Sequence, residues 1–77
     1  MLEKRSLKLS GHRTSVALEP AFWAVLEAAA QERGMALAAL IAEQDAARSA
    51  ATEPLASRLR VYALGYAMAR RAAAEGR

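Results

Sequence analysis

The sequence contains no cysteine, which excludes disulfide staples and thiolate metal sites. At 77 residues one chain closes only a marginal core, so pairing with another copy is the remaining route to stability. Long apolar runs are also missing. Hydrophobic residues make up 55% of the chain, but much of that share is alanine and charges interrupt each stretch, so no membrane span is expected. Met1-Leu2-Glu3-Lys4-Arg5-Ser6 is followed by no apolar segment of signal-peptide length, and a cytoplasmic location is expected. There is no glycine-rich phosphate loop, and the serines at 6, 10, 15, 49 and 57 have no triad context. The single histidine, His12, has no cysteine and no nearby carboxylate pair beside it. No catalytic residue, metal or cofactor is expected, and the chain is too small to enclose a typical substrate pocket.

What is present begins with a strand. From His12 to Leu18 the residues alternate, with Thr14, Val16 and Leu18 on an inner face and Arg13, Ser15 and Ala17 on an outer one. A lone strand leaves backbone donors and acceptors unpaired, and no second strand of similar quality follows downstream. The expected partner is therefore the same strand of another copy, giving an obligate homodimer with a two-stranded ribbon. Residues 1–11 read as a basic arm. Within it Ser6-Leu7-Lys8-Leu9-Ser10 alternates weakly, as an extended arm or short extra strand, and Gly11 permits a change of direction.

Three helices are expected after the strand, over residues 20–33, 35–48 and 54–73. Pro20 suits a first helical turn and Gly34 a left-handed cap. In the first helix Phe22, Trp23, Leu26, Ala29 and Ala30 fall on one stripe; in the second, Met35, Leu37, Leu40 and Ile41 do. Ser49 to Pro54 reads as a connection. The third helix carries Leu55, Leu59, Tyr62 and Tyr66 at helical spacing, with Arg58, Arg60, Arg70 and Arg71 as polar surface. The core expected to form across the dimer is Thr14, Val16, Leu18, Phe22, Trp23, Leu26, Leu40 and Ile41.

The net charge of +3 is localised. Lys4, Arg5, Lys8 and Arg13 face only Glu3 in residues 1–13, whereas the rest of the chain holds equal numbers of basic and acidic residues. A basic arm leading into a ribbon points to a polyanionic partner.

Lys4-Arg5-Ser6, Gly11 to Val16, Phe22-Trp23, Arg33-Gly34, Ala39 to Glu43 and Leu59-Arg60-Val61, in this order and spacing, resemble the ribbon-helix-helix family of bacterial DNA-binding proteins. They are most similar to its subgroup with a Gly-His-Arg-Thr-Ser-Val strand. The resemblance covers nearly the whole chain. It implies a mostly α fold with one short β-strand per chain: an intertwined homodimer with a two-stranded antiparallel ribbon, plus an additional C-terminal helix.

It further implies duplex DNA as partner, read by the ribbon in the major groove, and a role as transcriptional regulator or repressor, nucleoid-associated when bound. Arg13, Ser15 and Ala17 become the base-reading face. Arg13 can donate two parallel hydrogen bonds to guanine O6 and N7, and Ser15 can bond several bases. Ala17 offers only a methyl where relatives carry a polar residue. Phosphate contacts are expected from Lys4, Arg5, Lys8 and His12, and from the backbone amides of Met35, Ala36 and Leu37 at the start of the second helix. Ala36 stands where Ser, Thr or Asn is common, so the side-chain cap is missing while the amides remain. The alternative is an antitoxin or adaptor whose third helix binds another protein, against which the absence of a long polar tail weighs. A peripheral membrane binder ranks last.

Overall fold

The computed structural model describes residues 1–48 and 52–76. Two short strands, β1 (Glu3–Leu9) and β2 (His12–Leu18), precede three helices, α1 (Pro20–Glu32), α2 (Leu37–Ala47) and α3 (Leu55–Glu75). Of the connection expected from Ser49 to Pro54, residues 49–51 lie outside the described residues.

β1 and β2 form an antiparallel hairpin, in register from Leu9↔His12 at the turn to Glu3↔Leu18 at the open end. The turn is made by Ser10 at φ 50° and Gly11 at φ 85°. Positive φ at both central residues is the signature of the two-residue turn whose twist matches the flanking strands. The basic arm is therefore a full strand, and β2 finds its hydrogen-bonding partner inside its own chain. Where one strand per chain was expected, the chain has two. The reason is visible in the alternation: the inward positions of β1 are Glu3, Arg5, Leu7 and Leu9, and two charged residues among four hide the period.

Pro20 opens α1 with no amide to lose, and the carbonyl of Glu19 accepts from the amides of Phe22 at 2.9 Å and Trp23 at 3.3 Å. The helix ends in a paired cap. Gly34, at φ 67°, donates to the Gln31 carbonyl at 3.1 Å, and Met35 donates to the Ala30 carbonyl at 3.0 Å. Because Met35 is spent in that cap, α2 starts at Leu37, two residues later than the sequence pattern indicates.

The core consists of Leu9 and Val16 and Leu18 from the hairpin, Trp23, Leu26, Ala29 and Ala30 from α1, Leu40 and Ile41 from α2, and Leu59 and Ala63 from α3. Trp23 is the largest of the fully buried side chains, and its Nε1 donates to the Glu3 carbonyl at 2.8 Å, tying α1 to the far end of the hairpin. α3 packs against α1, α2 and β2. Of the residues expected to meet a partner, Val16, Leu18, Trp23, Leu26, Leu40 and Ile41 are buried within one chain, and Thr14 and Phe22 are half-buried. α3 adds Leu59 and Ala63 to the same core.

Candidate nucleic-acid interface

The hairpin has two unlike faces. Its inner side packs Leu9, Val16 and Leu18 onto the helices. Its outer side is built from three cross-strand pairs: Lys4↔Ala17, Ser6↔Ser15 and Lys8↔Arg13. All of these side chains are exposed except the half-buried Ala17. No carboxylate stands on this face.

Charge pairing elsewhere makes the face distinct. Each of the eight acidic residues is engaged by an arginine. Among the described residues, the cations left without a carboxylate are Lys4, Lys8 and Arg13, and all three share the outer face. Lys8 and Arg13 sit directly opposite each other. Like charges so placed destabilise a ribbon by roughly 0.2–1 kcal/mol, so the arrangement opposes folding and favours an anion. Arg13 Nη1 donates to Ser6 Oγ at 3.2 Å, which orients the guanidinium across the middle of the face.

Two of the expected phosphate contacts lie elsewhere. Arg5 points inward, pairs with Glu3 at 2.6 Å and Glu27 at 2.8 Å, and its guanidinium lies 4.6 Å from the Trp23 ring centroid. Glu27 and Glu3 hold it charged, raising its pKa, and both are intramolecular partners. The position is structural: the sequence shows the charge of Arg5 but not its face. His12 closes the turn opposite Leu9 and shares the parity of the inner positions, although it is exposed. Ser6 stands on the outer face between Lys4 and Lys8, at the period-2 spacing of the two lysines.

At the start of α2, Ala36 is the extended cap residue and makes no side-chain capping bond. Its carbonyl accepts from the Leu40 amide at 3.1 Å. The amides that a helix start leaves without intrahelical acceptors belong here to Ala36, Leu37, Ala38 and Ala39. The expected set is thus shifted by the loss of Met35 to the α1 cap.

The remaining ion pairs clamp the helices together. Glu43 takes a two-pronged contact from Arg33, at 2.6 and 2.8 Å, joining α1 to α2. Glu32 accepts from the Tyr66 hydroxyl at 2.7 Å and from Arg70, joining α1 to α3. Glu19, held by its own backbone amide and by Arg60, joins the α1 entry to α3. These contacts lower the pKa of Glu43, Glu32 and Glu19, while Glu32 raises that of the Tyr66 hydroxyl. A carboxylate whose folded pKa is depressed contributes stability that is complete above its unfolded value, here 4.5, and lost as pH falls through the folded value. The urea midpoint is therefore expected to hold from pH 7 to about pH 5 and to fall below pH 4.5. A midpoint unchanged at pH 3, followed by circular dichroism, would show that these clamps add nothing.

No helix among the described residues is long and apolar enough to cross a membrane. A family model described as a ribbon-helix-helix domain matches residues 2–67, from the start of the hairpin into the middle of α3. No curated protein and no solved structure gives a significant match.

Proposed function

The chain belongs to the ribbon-helix-helix family, whose domains are typically non-enzymatic and generally bind DNA as dimers; from that premise we propose that it is a sequence-specific duplex DNA-binding regulator. The hairpin is the reading element. A two-stranded ribbon fits the major groove, and its outer face can reach base edges there. Arg13 is the main base reader, directed at guanine, with Ser6 and Ser15 bonding neighbouring bases and Ala17 giving methyl contact. Lys4 and Lys8 contact flanking phosphates. The amides at the start of α2 give a further phosphate anchor.

The observation that carries this reading is the concentration of the unpaired cations on one ribbon face while every acidic residue is engaged elsewhere. The family serves as regulators and as antitoxins, and a polyanion-shaped face favours the first.

The test is affinity for duplex DNA across a salt series. Each neutralised phosphate adds about −0.9 to the slope of log K against log salt. Two phosphate-contacting lysines in each of two chains predict a slope of roughly −4. Arg13→Ala is expected to erase the preference among sequences, about 1–3 kcal/mol for each lost bidentate base contact, while leaving residual binding. A protein that stays folded yet binds no duplex at low salt would sink the proposal.

A further inference from the structure

An arginine on an exposed strand is a poor base reader unless something aims it. Its side chain is long and rich in rotamers, and most of that freedom is lost when the guanidinium locks onto a base edge. Arg13 is exposed on the outer face and, among the described residues, pairs with no carboxylate. Its side-chain partner there is Ser6, whose Oγ accepts from Nη1 at 3.2 Å.

Ser6 is not the residue opposite Arg13. The register sets Lys8 against Arg13 and Ser15 against Ser6, so the bond runs diagonally across the hairpin. Diagonal neighbours on antiparallel strands lie about 7–8 Å apart, a gap that a long side chain spans. Two neighbours on β1 then act in the same sense. The ammonium of Lys8 repels the guanidinium from the turn end, and the hydroxyl of Ser6 holds it at the centre of the face.

The residue type at position 6 carries chemical content. A β-branched or aromatic side chain would suit the strand better. A carboxylate would grip Arg13 more tightly, but it would bring negative charge to a face that has none. A hydroxyl accepts one hydrogen bond and adds no charge. The bond occupies Nη1 and leaves the Nε and Nη2 edge of the guanidinium open, a two-pronged donor that matches O6 and N7 of guanine. The hydroxyl hydrogen of Ser6 is not used in it and remains for a neighbouring base.

We propose that Ser6 is a positioning residue for base readout, holding Arg13 over the middle of the hairpin so that its guanidinium edge meets guanine in a fixed direction. This rests on the DNA-binding reading above and adds the residue that sets how sharply guanine is recognised.

Three variants of the whole chain separate aiming from folding. Ser6→Ala removes the acceptor, Ser6→Thr keeps it on a residue suited to a strand, and Arg13→Ala removes the reader. In the free protein, nitrogen relaxation at Arg13 Nε is expected to show an ordered side chain in wild type and Ser6→Thr and a mobile one in Ser6→Ala. With DNA, the probes are a duplex selected by wild type from a random pool and the same duplex carrying a guanine analogue with carbon in place of N7. Wild type is expected to prefer the unmodified duplex. Ser6→Ala should lose a factor of roughly 3–10 of that preference, with the salt slope and the urea midpoint unchanged, and Ser6→Thr should restore it. In the Arg13→Ala background, Ser6→Ala should change the preference no further, because nothing is left to aim.

A wild-type Arg13 as mobile as that of Ser6→Ala would overturn the inference, as would a Ser6→Ala protein that keeps the full preference for guanine. So would a loss that persists in the Arg13→Ala background, since Ser6 would then act through a contact of its own. An Arg13 held by Ser6 in a protein that binds no duplex would leave the positioning of Arg13 standing and remove the DNA reading instead.

Discussion

Replacing Lys4, Lys8 and Arg13 together by alanine is expected to abolish DNA binding and leave the protein at least as stable as before. Lys4 and Lys8 supply the side-chain phosphate contacts proposed here and Arg13 the main base contact, in each chain of a dimer. Their loss lowers affinity by on the order of 10³ or more at moderate salt and flattens the salt slope. The stability arm has the opposite sign. Lys8 and Arg13 are direct cross-strand neighbours, and removing that repulsion returns roughly 0.2–1 kcal/mol. The two arms are read independently, by fluorescence anisotropy with a labelled duplex and by urea unfolding. A parallel loss of both would mean that these side chains hold the hairpin together and that the face has no separate purpose. The control is Arg5→Ala. Its charge is consumed by Glu3 and Glu27, and it covers the Trp23 ring, so its removal should lower stability and change the salt slope little.

The second large effect belongs to Trp23. It is fully buried, touches no solvent-facing function, and couples two elements through its bond to the Glu3 carbonyl. Trp23→Ala removes the largest piece of the core together with the bond to the Glu3 carbonyl, a loss of about 3–5 kcal/mol. A domain of this size holds only about 0.05–0.15 kcal/mol per residue, so the variant is expected to be largely unfolded at 37 °C. Trp23→Phe keeps most of the apolar volume and gives up the hydrogen bond, about 0.5–1.5 kcal/mol, so it should fold and bind DNA. If Trp23→Ala melts within a few degrees of wild type, then the hairpin is not docked on α1 as described.

How much of this was legible in the sequence depends on the element. β2 was readable because Thr14, Val16 and Leu18 give a clean inner face and Glu19-Pro20 ends it. The α1 boundary was readable because Pro20 and Gly34 are stop signs with steric causes. β1 was harder, since Arg5 occupies an inward position and survives there only by stacking on Trp23 and meeting two carboxylates. No local pattern announces that contact, because Glu27 lies 22 residues away. For the same reason the inward contacts of Arg5 cannot be read from its own strand.

The expectation of a shared core came from length: 77 residues looked too few for self-sufficiency. Length alone does not show how far Leu59 and Ala63 of α3 reach into the body formed by the hairpin and first two helices. Burial of an alanine-rich helix is poorly encoded in hydrophobic periodicity, since alanine fits either side. The family resemblance supplied the order of elements and the reading face; it could not supply the in-chain hairpin.

The central claim, that the outer face of the hairpin meets DNA, is tested most directly by titrating the isotope-labelled protein with a short duplex and following its amide and side-chain resonances. Shifts concentrated at Lys4, Ser6, Lys8, Arg13 and Ser15, with a second group at Ala36 to Ala39, are the expected result. Shifts confined to the outer surface of α3, with the hairpin undisturbed at saturating duplex, would contradict it.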